Sequence, residues 1–164
     1  VNGILGPFSW YLSYSFVEAT FQSNPQLPGQ NHPDAVGGSI QVSPGDRIPG
    51  IPLHTGKVGV GYNITDRWSI GVDTIINSEQ YYRGDESNQL GQVHGYAVVN
   101  LQSSYQVADF LKAHVKVNNL LDREYETFGL LGNAEEVLGD EFYNTRFLGP
   151  GAPIGVWGGM TLSW

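Results

Sequence analysis

The sequence predicts an all-β fold: a transmembrane antiparallel β-barrel segment of about six strands. Three observations lead there. Aromatic and β-branched residues recur in runs with two-residue alternation, and no window of about twelve residues shows a 3.6 period. The links between runs alternate between short turns and long loops, which is how outer-membrane barrels are connected. Charge is sorted in the same way. The long links carry the whole net charge of −8, and the rest of the chain sums to zero.

The first strand is expected from Phe8 to Phe21, with Phe8, Trp10, Leu12, Tyr14 and Phe16 on one face. The second runs from Gly56 to Ile64, where Val58, Val60, Tyr62 and Ile64 alternate with Lys57, Gly59, Gly61 and Asn63. The third runs from Arg67 to Arg83 and aligns Trp68, Ile70, Val72, Thr74 and Ile76. The fourth, Gly95 to Val107, aligns Ala97, Val99, Leu101 and Tyr105. In the fifth, Phe110 to Leu121, Leu111, Ala113, Val115 and Val117 oppose Lys112, His114, Lys116 and Asn118. The sixth, Ile154 to Trp164, aligns Ile154, Val156, Met160, Leu162 and Trp164.

Short turns fall at Thr65-Asp66 and Ala108-Asp109, and long links at Gln22–Gly50, Gly84–Gln92 and Asp122–Pro150. In a barrel the apolar face meets lipid and the polar face lines a wet lumen. In a soluble sandwich the same apolar face would be the core. Periodicity does not separate the two; loop sorting and strand length favour the barrel, since about 9–11 residues cross a bilayer.

Composition narrows the function. The 164 residues suffice for one domain. No cysteine is present, which excludes a disulfide scaffold, a thiolate metal site and a cysteine nucleophile. The net charge of −8 argues against a nucleic-acid partner. No apolar run approaches the length of a membrane-spanning helix, and Val1 opens no secretory leader pattern. There is no G-x-S-x-G, H-E-x-x-H or P-loop, so no enzyme and no cofactor is expected.

Four segments carry a family resemblance. Val117-Asn118-Asn119-Leu120-Leu121-Asp122-Arg123-Glu124-Tyr125 resembles the V-x-N-L-x-D-x-x-Y pattern near the end of TonB-dependent outer-membrane receptors. Arg47-Ile48-Pro49-Gly50-Ile51-Pro52-Leu53-His54 opens a strand that ends in Tyr62. Gln80-Tyr81-Tyr82-Arg83-Gly84-Asp85-Glu86-Ser87-Asn88 is followed by Gly95-Tyr96 and Asn100-Leu101. Pro150-Gly151-Ala152-Pro153 precedes a strand that closes on the aromatic Trp164. They stand in the family's order from about Phe8 to Trp164.

The resemblance implies that residues 1–164 are the carboxyl-terminal wall of a 22-strand type barrel, with the plug domain and earlier strands outside the sequence. It implies a receptor in the Gram-negative outer membrane that takes up a scarce small-molecule ligand, foremost a ferric siderophore. The implied partners are lipid and lipopolysaccharide, the rest of the barrel and plug, and TonB through the missing amino-terminal part. Two other readings stay open: a small self-contained outer-membrane barrel with a structural or adhesive role, and a soluble carbohydrate-binding β-sandwich.

Individual residues follow from this reading. Arg123, Phe128, Phe142, Tyr143 and Arg146 are loop candidates for ligand contact, and Phe147 is equally able to pack the loop on itself. Trp10, Trp68, Tyr81, Tyr82 and Trp164 are read as an interfacial aromatic girdle rather than a sugar-stacking set. Trp164 is also read as the terminal assembly signal. His32, His54, His94 and His114 match no ligand spacing, so no metal site is expected. Glu135, Glu136, Asp140 and Glu141 lack EF-hand spacing and are read as a solvated acidic loop.

Overall fold

The computed structural model describes residues 1–139, 141 and 144–164. Its elements are β1 (Asn2–Leu5), β2 (Phe8–Phe16), β3 (Gln26–Pro28), β4 (Ser39–Gln41), β5 (His54–Thr65), β6 (Trp68–Asn77), β7 (Gln80–Tyr81), β8 (Gln92–Val93), β9 (Tyr96–Ala108), β10 (Leu111–Asn118), β11 (Glu126–Leu131), the helical turn α1 (Glu135–Leu138), β12 (Arg146–Pro150) and β13 (Gly155–Leu162). No helix is long and apolar enough to cross a membrane, which says nothing about crossing by strands.

One antiparallel sheet dominates, in the order β1-β2-β5-β6-β9-β10-β13. Strands consecutive along the main path are neighbours, so the sheet is an up-and-down meander with edges at β1 and β13. It has seven strands where six were expected. The addition is β1, too short to show a period, which reaches β2 through the tight turn at Gly6 (φ 58°) and Pro7. The remaining turns at this end are Asp66-Arg67 and Asp109-Phe110, and all three long loops leave the opposite end.

The register fixes two faces. One cross-strand row reads Trp10–Val60–Val72–Leu101–Val117–Val156. The adjacent row reads Ser9–Gly61–Gly71–Gln102–Lys116–Trp157 and points the other way. The apolar face is open: Trp10 is 43% exposed, Val60 50% and Val156 67%. Among the described residues no second layer packs on it, so it is not the inside of a sandwich.

The strand ends differ from the sequence expectation at the loop side. The first strand stops at Phe16 rather than Phe21. The chain stays extended but changes partner: the Ile48 N–H donates to Ala19 O, the Phe21 N–H to Asp46 O, and Thr20 bridges to Arg47. The third stops at Asn77 and not Arg83, because Gln80–Tyr81 leaves the wall to pair with Gln92–Val93. The long loops therefore carry structure of their own, in the hairpins β3-β4, β7-β8 and β11-β12.

Most of the buried core lies in these loops; of the described buried apolar residues, Val98 of β9 stands on the wall. Tyr82, Val93 and Leu131 form one cluster with Leu90 packed against it, while Ile40 and Val42 are buried in the first loop. Gly129 is required at this cluster, since a Cβ there would stand 2.5 Å from the Tyr82 ring and from Val93.

Candidate functional site: the interlocked loops and the polar wall

The second loop is the strap that joins the other two. Asp85 is fully buried at its centre and His32 of the first loop is 4% exposed. His32 Nε2 lies 3.1 Å from Asp85 Oδ1. The Asp34 N–H donates to His32 Nδ1 at 3.1 Å, which puts the ring proton on Nε2, facing the carboxylate. Asp85 also accepts the backbone N–H groups of Gln89 and Leu90, both at 2.9 Å, and the Ser87 hydroxyl at 3.3 Å. A buried carboxylate is stable only with such a full set of donors.

Asn88 makes a second link between the same two loops. It sits in the left-handed region at φ 57°. Its Oδ1 accepts the Arg47 N–H at 2.6 Å and its Nδ2 donates to Arg47 O at 3.0 Å, so one side chain imitates a strand partner. The guanidinium of Arg47 lies 5.6 Å from the Tyr81 ring centroid.

The third loop joins through Arg83. Its N–H donates to Gly129 O at 3.0 Å, and its carbonyl accepts the Leu131 N–H at 2.8 Å. Gln80 Nε2 adds a bond to Thr127 O at 2.8 Å. The segment from Gln80 to Asn88, noted in the sequence for its resemblance, is thus the clasp of the loop layer.

The Val117-to-Tyr125 segment has an equally local explanation. Asn119 is 2% exposed, with φ 50°. Its N–H donates to Asn100 Oδ1 at 3.0 Å, its Nδ2 donates to Arg123 O at 2.9 Å and Ala152 O at 3.1 Å, and its Oδ1 accepts the Arg123 N–H at 2.9 Å. Asp122 Oδ1 accepts the Ile154 N–H at 2.9 Å. The Asn and Asp of the pattern therefore pin the end of β10 to the start of β13.

His32, Asp85 and Ser87 meet but do not form a hydrolytic triad. Asp85 and Ser87 both face Nε2, at 3.1 and 3.4 Å, and Nδ1 is taken by backbone. A relay needs one ring nitrogen for each partner. Among the described residues no group of three or more His, Asp or Glu is placed to hold a metal ion. His54 instead pairs with Tyr14, and His114 stands on the polar wall.

The expected ligand-contact residues do not converge. Arg146 opens β12, exposed, with its guanidinium 5.9 Å from the Tyr82 ring centroid. Arg123 is exposed at the root of the same loop, before β11. Phe128 is half exposed, its ring lying over Gly149 of the paired strand. Phe142 and Tyr143 lie outside the described residues, as does Asp140. Glu135 and Glu141 are exposed.

The expected girdle divides. Trp10 and Trp68 stand exposed on the apolar face near the short turns, and Trp164 is exposed beyond β13. Tyr81 is half buried beside Arg47. Tyr82 departs from the expectation: at 7% exposure it belongs to the loop core, because the chain leaves the wall at Asn77 and carries it inward. Tyr14, Phe16 and His54 occupy the loop end of the apolar face instead, with Tyr14 Oη 2.8 Å from His54 Nδ1 and the Phe16 and His54 rings 5.3 Å apart. Sequence reasoning placed Tyr14 and Phe16 on the right face. The end of the strand at Phe16 was the missing fact.

The polar wall carries Lys57, Lys112, His114 and Lys116 among serines, glycines and amides. Among the described residues its only strand acid is Asp73, which accepts from Asn100 Nδ2 at 2.9 Å.

With this geometry in place, the comparisons are consistent. The family described as TonB dependent receptor-like, beta-barrel matches residues 3–120, and the chain belongs to that family. The metal-pseudopaline receptor CntO of Pseudomonas aeruginosa is 26% identical over 125 residues, covering 75% of this chain and 16% of that protein. Among solved structures, the siderophore receptor PiuA from Acinetobacter baumannii superposes with a TM-score of 0.74 at 15% identity, covering 98% of this chain and 20% of that one. The ferric-catecholate import receptor Fiu from E. coli K12, in its closed form, gives 0.66 at 20% identity, covering 97% and 19%. The chain thus spans about a sixth of its curated relative and about a fifth of these receptors. At these identities the structural likeness shows the fold: a stretch of receptor barrel wall. The family is one of transport receptors.

Proposed function

We propose that the chain is the carboxyl-terminal wall of an outer-membrane receptor in a Gram-negative cell, which takes up a metal chelate of the siderophore class with energy delivered through TonB. The observation that carries this reading is the exposed apolar face, in register over the sheet and backed by a polar face, since only a lipid-facing wall has a use for both. Further strands, supplied by the rest of the protein, close the two edges, because unpaired backbone is not tolerated in a bilayer, and a plug occupies the lumen. The loop layer stands over the lumen as part of the outer mouth. Lipopolysaccharide surrounds its rim. Ligand contact is assigned to Phe128 and Arg146, with Arg123 nearer the root of the loop. The relative's metal-pseudopaline specificity and the siderophores of the solved receptors support a metal chelate as cargo.

Trp164, exposed at the end of the last strand, serves assembly. Its deletion lowers the amount of protein in the membrane without changing uptake per molecule.

The test is uptake of iron-55 chelates by cells with and without the intact protein. Uptake that requires both the protein and TonB is the expected result. Recovery of the protein from the soluble fraction, or uptake indifferent to TonB, overturns the reading.

A further inference from the structure

One polar node lies on the apolar face itself. Ser103 stands in the outward row of Tyr62, Ile70 and Val115. A hydroxyl at that place finds no water where lipid covers the face. Its bonds are complete within the protein. Ser103 Oγ donates to Ser69 O at 3.2 Å and accepts the Trp68 indole N–H at 3.0 Å.

The direction of the second bond is informative. Trp68 opens β6 beside the Asp66-Arg67 turn, and its cross-strand partner is Tyr105. Ser103 lies two residues further from that turn, about 7 Å along the strand. The indole N–H therefore points along the wall and away from the rim. An interfacial tryptophan does the reverse: its ring sits in hydrocarbon while its N–H reaches headgroups or water. The apolar face also continues past Trp68 toward the turns. Its own row runs on through Ala113 and Met160, and the next row nearer the turns holds Leu111 and the exposed Leu162.

We propose that Trp68 is not a headgroup anchor but the cap of this node, set among lipid acyl chains, and that Ser103 is tolerated on the wall because the indole covers it. This rests on the reading of the apolar face as lipid-facing. At 42% exposure the Trp68 ring is still reached from outside. Neither partner is then neutral by itself. Ser103→Ala leaves an indole N–H in hydrocarbon without an acceptor, and Trp68→Phe uncovers the serine hydroxyl. Removing both leaves neither group stranded. A headgroup anchor would instead be indifferent to Ser103.

The experiment uses the intact protein folded into lipid vesicles, with 5-fluorotryptophan in place of tryptophan and fluorine NMR as readout. The probes are phosphatidylcholines spin-labelled either at the headgroup or deep in the acyl chain. Trp68→Phe assigns the resonance, and Trp68→Leu takes its place in every measurement if the phenylalanine variant does not fold. The deep label should broaden Trp68 more than the headgroup label does. Ser103→Ala should reverse that order, because the freed indole turns to the rim. In a lipid folding titration, Trp68→Phe and Ser103→Ala should couple by about three- to tenfold in the folding equilibrium constant.

Stronger broadening of wild-type Trp68 by the headgroup label overturns the proposal, and so does additivity of the two substitutions. Trp10, on the same face, tells this failure from that of the reading beneath it. If Trp10 is broadened by lipid labels while Trp68 answers mainly to the headgroup, only the present proposal falls. If neither tryptophan is broadened by any label, lipid does not cover the face, and both fall.

Discussion

The wall and the loop layer use the same residue types in opposite ways. On the wall, Trp10, Val60, Val72 and Val156 point outward and stay open, while Ser9, Gln102 and Lys116 point to the other side. In the loops, Val42, Tyr82, Val93 and Leu131 are buried, and so are His32, Asp85 and Ser87. The wall is held by backbone ladders between long strands and draws little from packing within this chain. The loops lack long ladders and are held by a small apolar cluster and buried polar nodes. One region leaves its apolar face open, and the other behaves like the interior of a small water-soluble domain.

The sharpest way to break the loop side of this contrast is Asp85→Ala. It leaves the Gln89 and Leu90 N–H groups, the His32 ring N–H and the Ser87 hydroxyl without their shared acceptor. At about 1–3 kcal/mol for each buried donor left unpaired, partly relieved by water, the loop layer loses on the order of 4 kcal/mol. Limited proteolysis should cut the loops of the variant rapidly while heat-modifiable migration of the barrel is unchanged. Simultaneous loss of both would mean that the two regions are one cooperative unit.

The wall side is tested by Val115→Arg. Val115 lies mid-strand on the apolar face. A charge near the bilayer midplane costs roughly 2–4 kcal/mol, read as a lower folding midpoint in a lipid titration. Protease sensitivity of the loops should stay as in the wild type. A tolerated arginine would remove lipid from that face.

Asn88→Gly separates side-chain bonding from backbone strain, because glycine keeps the left-handed conformation at φ 57°. Loss of the two bonds to Arg47 should cost about 1–2 kcal/mol, seen as faster amide exchange at Arg47 and Gly50. Exchange confined to Asn88 itself would show that the pairing contributes nothing. The smallest effect is expected from Lys116→Ala, within about 0.5 kcal/mol in the same folding titration, since its side chain is exposed on the polar face. A loss as large as that of Val115→Arg would erase the distinction between the faces.

Most of the wall was legible because strand alternation has a period of two and each strand repeats it. The row from Trp10 to Val156 is foreshadowed strand by strand in the sequence. Strand ends were less legible. Val17 to Phe21 and Gln80 to Tyr82 continue the aromatic and β-branched composition while changing partner, and composition does not record the partner. The loop core was invisible for the same reason. His32 and Asp85 are 53 positions apart, and no local pattern marks either as buried. Family resemblance singled out Asn88, Asn119 and Asp122, but only the hydrogen bonds show why those types stand there: a short side chain on a backbone in the left-handed region, where the two asparagines accept and donate and Asp122 accepts.

By itself the sequence determined the all-β class, the two faces, the sorting of short and long connections and the family, because each depends on local periodicity, turn chemistry or short ordered motifs. The tertiary structure alone decided that the sheet has a seventh strand, that Tyr82 is core while Tyr14 and Phe16 hold the loop end of the apolar face, and that the three loops are clasped through Asp85 and Arg83. Each of these depends on which distant segment arrives at a given residue, and that is fixed by packing and backbone pairing across the chain.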